Sequence, residues 1–486
     1  MKDSLFKQQP MILFNWVTCL PEQDCACSQA TARPAALFVR GEANPETDCA
    51  CACAPAPSAP PAGRGLLWRR APVLHRAPLP AGHELLLSAQ SPYGPTVLNR
   101  AARQHLDAFA RPRPLANDDT ATQLATLGLL VPVDQPQPAL CPAAVGNTLT
   151  AWLHVTNACN LNCSYCYVQK DAGEMDVATG RTAIETVFRT AVRHGFGAVK
   201  LKYAGGEPTL NLPLVRLLHK QAQTLAENCG LELRETLITN GVVLTDAFLD
   251  WVAAVGLRLA VSLDLSPQVH DAHRPASNGQ GTFDQVRRNV ERAVAWGIAP
   301  HLSITLDGTE NPTHIDAVAL ALAADLPFNL NFVRPAPPTL DRLVATLQAI
   351  FACIESNLPR YSLLAILDRA NFSHPHYHPC SAGLSYIVVD HQGRISPCQM
   401  ELGRPVGDLH AADDPLETLK AAFPNPSVEK RADCTSCPWR YGCAGGCPWL
   451  ARQTGGTAPY CAVYKSLYPE LIRLEGLRLL RWAPKN

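Results

Sequence analysis

Three cysteines stand at C-x3-C-x2-C spacing in Cys159-Asn160-Leu161-Asn162-Cys163-Ser164-Tyr165-Cys166, directly after an apolar, strand-like stretch over residues 148–156. Deprotonated sulfur is a soft ligand that selects iron–sulfur clusters, zinc or Cu(I), and closed structural sites take four protein ligands. Three thiolates are one short of such a cage, which points to a cluster with one open iron. A zinc knuckle, or three unrelated thiols, is the alternative that this run alone leaves. A second field runs C-x12-G-x4-C from Cys380 through Gly393 to Cys398. It continues C-x2-C-x5-C-x3-C through Cys434, Cys437, Cys443 and Cys447, and closes at Cys461. Zinc ribbons pair two C-x2-C elements, and this field holds one.

The arrangement C-x3-C-x-aromatic-C behind a first strand resembles the signature of the radical S-adenosylmethionine (SAM) superfamily, with Tyr165 as the aromatic. The resemblance implies Cys159, Cys163 and Cys166 as ligands of a 4Fe-4S cluster whose fourth iron is chelated by the amine and carboxylate of SAM. One strand later comes Gly205-Gly206-Glu207-Pro208. Glycines without a Cβ let a ligand approach the backbone, and a carboxylate accepts hydrogen bonds from an ammonium group. In the family this motif meets the SAM amine, which implies Gly205, Gly206 and Glu207 as cofactor contacts. Thr239-Asn240-Gly241 and Ser262-Leu263-Asp264 end the next two strands, where the family contacts the SAM ribose or carboxylate, implying Asn240 and Ser262. Asn-Gly is equally an ordinary turn. His270-Asp271-x2-Arg274 followed by Gly281-Thr282-Phe283 resembles a segment common among these enzymes. Its physical reading is a loop and a helix N-cap at Thr282, with Arg274 in reach of a carboxylate.

The second field resembles the seven-cysteine SPASM domain, an extension of radical SAM enzymes that carries auxiliary 4Fe-4S clusters. By that resemblance Cys434, Cys437, Cys443 and Cys461 hold an outer cluster, and Cys380, Cys398 and Cys447 an inner one. Fully ligated relatives have an eighth cysteine shortly before the first of the seven, but residues 371–378 read Asn-Phe-Ser-His-Pro-His-Tyr-His. Either His374, His376 or His378 takes the fourth place and raises the cluster potential, or one iron is open to a substrate thiolate, the reading favoured here. Cys353 is a further candidate if the fold brings it near. Gln399 follows Cys398 where sulfatase-maturing relatives place an aspartate base, and a neutral amide cannot accept the proton. That departure counts against sulfatase maturation.

Hydrophobic period gives the elements that must position these residues. Strands are expected at 148–156, 198–203, 232–239, 258–263, 301–306 and 328–333, alternating with amphipathic helices such as 177–193 and 283–296. Six βα units imply a parallel sheet with helices outside. Resemblance to radical SAM cores makes the α/β fold a partial (β/α)6 TIM-like barrel with its chemistry at the C-terminal strand ends. The expected organisation is a Cys/Ala/Pro-rich segment over 1–64, a module over 65–135, a linker over 136–147, the core over 148–336, connecting helices over 337–379 and the SPASM domain over 380–486.

Within 65–135, strand-like stretches at 66–68, 84–87 and 94–99 lead to helices at 100–109 and 120–127. That order is similar to the small winged-helix module that binds leader peptides by strand addition. Cys25-Ala26-Cys27 and Cys49-Ala50-Cys51-Ala52-Cys53 have chelating spacing with no motif to define their content. The apolar stretch 11–20 resembles a signal-peptide core, yet Pro21-Glu22-Gln23-Asp24 replaces a cleavage site and the stretch is too short to span a bilayer. It reads as a strand or helix packed on the body.

The 486 residues suffice for two or three domains, and 42 Lys+Arg against 42 Asp+Glu leave no basic field to recruit nucleic acid or a membrane surface. Nineteen cysteines, an odd number at metal-type spacings, fit a reducing cytoplasm better than a disulfide framework. The resemblance then implies an enzyme that uses SAM, a SAM-binding 4Fe-4S cluster and two auxiliary 4Fe-4S clusters, reduced by a donor such as flavodoxin or ferredoxin. Its 5'-deoxyadenosyl radical would modify a ribosomally made precursor peptide, and the auxiliary clusters favour an oxidative thioether or carbon–carbon crosslink over epimerisation. Other readings are a protein-modifying or redox-cofactor-building enzyme of the same chemistry and, from another class, an iron–sulfur electron-transfer protein. Electron carriers close all four ligands, which counts against the last.

Overall fold

The computed structural model describes residues 11–17, 39–41, 66–88, 91, 93–115, 118–133, 147–334, 340–411, 414–456 and 458–483. The Cys-Ala-Cys runs and most of the expected linker lie outside the described residues. Among the described residues seven short strands precede the core: β1 (Ile12–Val17), β2 (Val39–Gly41), β3 (Trp68–Arg70), β4 (Val73–Pro78), β5 (Glu84–Ser88), β6 (Thr96–Leu98) and β7 (Leu130–Pro132). Five of them form a sheet in the order β2-β1-β6-β5-β4, while β3 pairs with β7. Residues 12–17 of the apolar stretch thus enter this sheet as β1, with Ile12 and Leu13 buried. Helices α1 (Arg100–Asp107) and α2 (Asp119–Thr126) begin where Asn99 and Asp118 accept the N–H groups of Ala102 and Ala121. His75 and Arg76 interrupt the apolar period of β4, so no sequence pattern announces it.

The core alternates strand and helix: β8 (Thr148–His154), α3 (Val177–Arg193), β9 (Ala198–Ala204), α4 (Leu212–Cys229), β10 (Glu232–Thr239), α5 (Asp246–Val255), β11 (Arg258–Ser262), α6 (Pro267–His273), α7 (Phe283–Ala295), β12 (His301–Leu306), α8 (Asp316–Ala323) and β13 (Phe328–Phe332). All six strands lie within a residue or two of their expected bounds and pair in parallel with their chain neighbours. Side chains alternate across the sheet. Leu149, Ala151 and Leu153 share a core with Ala183, Ile184 and Val187 of α3, which sends Thr150, Trp152 and His154 to the opposite, concave face.

Among its described residues the stretch expected to hold connecting helices contains one, α9 (Leu340–Ser356), and then neither helix nor strand until β14 (Tyr386–Val389). β14 pairs in parallel with β8, and β15 (Arg394–Ser396) and β16 (Gly407–Asp408) follow antiparallel. The nine-stranded sheet therefore runs β13-β12-β11-β10-β9-β8-β14-β15-β16. Three short helices, α10 (Pro415–Ala422), α11 (Arg440–Cys443) and α12 (Pro448–Gln453), lead to the long α13 (Cys461–Arg481). Leu471, Ile472 and Leu474 of α13 pack into the same core as Leu13, Leu85 and Val97, docking the N-terminal sheet on the C-terminal helix. Among the described residues no helix is long and apolar enough to cross a membrane.

Candidate functional site

The cysteine loop after β8 is tied down along its length. Thr156 Oγ1 donates to Gly173 O (3.1 Å) and accepts from Ala158 N–H (3.0 Å); Asn162 N–H reaches Pro275 O (2.8 Å) and Ser164 N–H reaches His273 O (2.9 Å). Lys170 Nζ donates to Leu161 O at 2.7 Å. Cys159 Sγ accepts Leu161 N–H at 3.4 Å and stands 4.0 Å from Asn240 Nδ2. Cys159 and Cys163 are half-buried and Cys166 is exposed. Cys159 feels the charge of Cys163, and Cys163 that of Cys166, so the three thiols share one locality. Burial pushes the Cys159 and Cys163 thiols up, opposed by Lys170 and, at Cys163, by Arg274. A metal that binds these groups must displace their protons.

Gly205 and Gly206 lie directly against this loop. A Cβ on Gly205 would stand 2.2 Å from Thr156 O, and one on Gly206 2.2 Å from Ala158 O. Gly206 N–H donates to Thr156 O (2.7 Å) and Glu207 N–H to Ala158 O (2.8 Å). The space the glycines clear is thus taken by the cysteine loop's own backbone. Gly206→Ala is expected to cost about 1–3 kcal/mol through overpacking and to lower iron loading, read by chemical denaturation and iron analysis of the same preparation.

Glu207 is almost fully buried, and its carboxylate braces two strand ends. Oε1 accepts from Thr209 N–H (3.1 Å), Thr209 Oγ1 (2.7 Å) and Thr239 Oγ1 (2.8 Å), and Oε2 from Asn240 N–H (2.7 Å). Burial raises its pKa against the pull of these bonds. Asn240 Nδ2 donates to Asn160 Oδ1 at 2.7 Å, which joins the end of β10 to the cysteine loop. Ser262 ends β11, half-buried and abreast of Ser303.

A buried charge cluster lies under Tyr165, and no single motif announces it. Tyr165 Oη donates to Asp264 Oδ2 at 2.6 Å, Arg274 Nε lies 3.1 Å from the same oxygen, and the Arg274 guanidinium sits 5.1 Å from the Tyr165 ring centre. His273 stands between two carboxylates, with Nδ1 3.7 Å from Asp264 and Nε2 3.1 Å from Asp307. Burial alone would raise the Asp264 pKa, but Arg274 and then His273 hold it well below the usual carboxylate range. Hydrogen bonds to Asp264 and Asp307 push His273 up to about 9.

The carboxylate expected within reach of Arg274 is therefore the chain's own Asp264. His270 Nδ1 accepts Asp264 N–H (3.1 Å), and its Nε2–H donates to Thr282 Oγ1 (3.0 Å), whose proton goes to Arg274 O (2.8 Å). With its hydroxyl so used, Thr282 does not cap α7. Asp271 does, accepting the N–H groups of Thr282 and Phe283 at 2.7 and 2.8 Å.

The C-terminal cysteines fall into two groups. Cys398 feels the charges of Cys380 and Cys447; Cys434 feels those of Cys437 and Cys461; Cys443 feels those of Cys437 and Cys434. Burial pushes Cys398 up to about 12 and Cys443 to about 11. Among the described residues no three His, Cys, Asp or Glu side chains converge on a site for a single ion. Ligands of a cluster each take a different iron and stand farther apart than ligands of one ion, so the grouping suits the former. Cys353, on α9, has burial and Asn357 as its electrostatic surroundings.

His374 donates from Nδ1 to Ser373 Oγ (3.0 Å), since the Ser373 proton goes to Asn371 Oδ1 (2.6 Å). The rings of His374 and His376 lie 4.1 Å apart. His378 Nδ1–H donates to Asn425 O (2.9 Å), and Asn425 Nδ2 donates to Cys380 O (2.8 Å), so one asparagine anchors both. Asp368 accepts from Arg334 and lies 3.5 Å from Arg369 Nε, placing two guanidiniums on one buried carboxylate. Arg334 feels Cys447, and Cys380 feels Arg369, so this pair adds positive charge beside the inner group. Gln399 Oε1 accepts Tyr386 Oη at 3.3 Å. A surface cavity of about 570 Å³ between residues such as Asp325, Glu355 and Trp482 lies apart from all these groups.

Residues 153–322, about a third of the chain, match the radical SAM superfamily. A GTP 3',8-cyclase of Alkaliphilus metalliredigens is 24% identical over 296 residues, 56% of this chain and 84% of the relative. A serine-type anaerobic sulfatase-maturating enzyme of Klebsiella aerogenes is 28% identical over 138 residues, 28% of this chain and 34% of that enzyme. Against several curated relatives the chain spans less than half of their length. The solved structure of native anSMEcpe with bound AdoMet and Cp18Cys peptide shares the fold at 17% identity, with a TM-score of 0.54 over 68% of this chain and 99% of that one.

Proposed function

We propose, from a chain that carries a radical SAM domain at its centre, a peptide-modifying enzyme that forms an oxidative thioether or carbon–carbon crosslink. The observation that carries the reading is the grouping of ten cysteines into sets of three, three and four, the first beside Gly205-Gly206-Glu207. In this reading Cys159, Cys163 and Cys166 hold the cluster that binds SAM, and Cys380, Cys398 and Cys447 an auxiliary one. Cys434, Cys437, Cys443 and Cys461 hold the other auxiliary cluster. When bound and reduced, the SAM-loaded cluster supplies a 5'-deoxyadenosyl radical able to take hydrogen from an unactivated carbon.

The chain's residues do the positioning. Asn240 and Glu207 fix the loop that carries Cys159, and the Asp264 cluster fixes Tyr165. Arg334 and Arg369 place positive charge beside the inner group, which favours its acceptance of an electron. With three thiolates there, we read its fourth iron as open to a substrate thiolate. The peptide-bound structure of the same fold and the N-terminal sheet support a peptide substrate, and an external donor such as flavodoxin or ferredoxin supplies the electron.

The test is mass spectrometry of a candidate short peptide encoded beside this gene, after anaerobic reaction in deuterated buffer with reconstituted enzyme, SAM and reductant. Loss of two hydrogens is expected, whereas gain of one deuterium means epimerisation. An unchanged peptide with 5'-deoxyadenosine released rejects the substrate, and GTP in its place tests the chemistry named by the cyclase relative. No 5'-deoxyadenosine from fully loaded protein would leave the electron-transfer reading.

A further inference from the structure

The strand register places two rows of side chains on the concave face, beneath the cysteine loop. Trp152, Lys202, Thr236 and Arg258 lie abreast on β8, β9, β10 and β11. The next inward-facing row towards the strand ends is His154, Ala204, Ile238 and Ala260. Two alanines in that row carry no side chain beyond Cβ. One more step along the strands brings Thr156, Gly206, Asn240 and Ser262, of which the first three meet the cysteine loop. Trp152 and Ala204 also pack with Tyr386 and Val388 of β14 and against Leu402, just past Cys398. This face therefore lies between the two groups of three cysteines.

Lys202 Nζ lies over the Trp152 ring at 5.2 Å, but three other polar side chains of this face lack hydrogen-bond partners. His154 is fully buried and neither of its ring nitrogens has a hydrogen-bond partner; Trp152 Nε1 and Thr236 Oγ1 are buried and unpartnered as well. The buried Glu207, Asp264 and His270 side chains are by contrast hydrogen-bonded. Four orphaned atoms on β8 and β10, the strands either side of β9, contrast with these groups, and buried orphans are costly enough that proteins rarely keep them without a ligand or water to satisfy them. The His154 ring is held in place, with Trp152 stacked at 6.2 Å and Tyr167, beside Cys166, edge-on at 5.9 Å. Burial, and then His391, lower its pKa to about 3, so the imidazole is neutral and offers one N–H and one lone pair. Trp152 adds an N–H. One acceptor and two donors in a row complement a peptide unit, whose carbonyl takes N–H donors and whose N–H gives to a lone pair.

We propose that His154, Trp152 and Thr236 bind a backbone amide of the substrate peptide inside the barrel, beside the residue that is modified. The proposal rests on the peptide reading above, and it adds residues that no cofactor motif contains. The probe is the candidate precursor peptide, with ester analogues that replace one amide N–H at a time. Equilibrium binding is measured by anisotropy on SAM-loaded enzyme, with iron content held equal. His154→Leu is expected to weaken binding about tenfold, the worth of one to two buried neutral hydrogen bonds, and to raise the thermal midpoint of the free enzyme, because it removes an unsatisfied polar group. His154→Gln, which keeps a donor and an acceptor, restores binding, and Trp152→Phe weakens it with its ring packing intact.

One ester position should weaken wild-type binding and leave His154→Leu unaffected. Additive effects at every ester position, or a lower midpoint with unchanged affinity, would overturn the proposal and assign His154 a structural role. A peptide that wild-type enzyme neither binds nor modifies rejects the peptide reading and the subsite with it. Binding by wild type that ignores His154 rejects the subsite alone.

Discussion

Cys159→Ala is expected to reduce 5'-deoxyadenosine release to background and to remove about one third of the bound iron, the share of one four-iron cluster among three. The loss should be this sharp because the loop has no spare ligand. Leu161 and Asn240 already direct their N–H groups at Cys159 Sγ, and the thiol feels Cys163 and Glu207 rather than a fourth cysteine. Loss of one of three thiolates from a site that already leaves an iron open undoes the cluster, where a four-thiolate site would retain three. Cys353→Ala is the matched control. It sits on α9 away from the three groups, so iron content and product release should both match wild type. Retained activity in Cys159→Ala would remove the basis for assigning this loop to SAM.

What was legible in the sequence is local. The six core strands alternate or run apolar with period two, three of them ending at or just before glycine, asparagine or serine, and the cysteine spacings are fixed within short loops, so both can be read without the fold. What was not legible depends on contacts far apart in the chain. Tyr165 reaches Asp264 across 99 residues, so its role as the lid of a buried ion cluster has no local sign. The glycines of the Gly205 motif look like a ligand cradle, yet their neighbours are Thr156 and Ala158, some fifty residues earlier. Thr282 has the residue type and position of an N-cap, but His270 and Arg274 claim its hydroxyl and Asp271 caps in its place.

The pairing of β14 with β8 has the same character. Tyr386–Val389 is a short apolar run that any sheet could take, and its attachment to the first core strand brings Cys398 to the side of the barrel opposite β13. His154 illustrates the converse limit. It lies in an obvious strand, and only burial with both nitrogens unpartnered separates it from an ordinary core histidine.

Asp264→Asn is expected to destabilise the protein by about 3–5 kcal/mol, the usual cost of stripping one partner from a buried ion pair. The carboxylate is fully buried, and its removal leaves the Arg274 and His273 cations with Asp307 as the one remaining carboxylate of the cluster. Tyr165 at the same time exchanges a charged acceptor at 2.6 Å for at best a neutral amide oxygen, so the loop between Cys163 and Cys166 should loosen and iron loading should fall with stability.

The pH dependence has a defined sign. Asp264 has a pKa below its ordinary 3.8, so its contribution is present above that value and lost as pH falls below it. His273 is raised from 6.5 to about 9, so its contribution is full below pH 6.5 and disappears as pH rises through 9. The network therefore contributes most between about pH 4 and 6.5, and the stability difference between wild type and His273→Gln should shrink by at most about 3 kcal/mol from pH 6.5 to pH 9.5. Urea unfolding of the three proteins across that range measures it. A difference that grows with pH, or an Asp264→Asn variant within about 1 kcal/mol of wild type, would mean that the Tyr165 loop is held by its backbone bonds to Pro275 and His273 rather than by the buried charges beneath it.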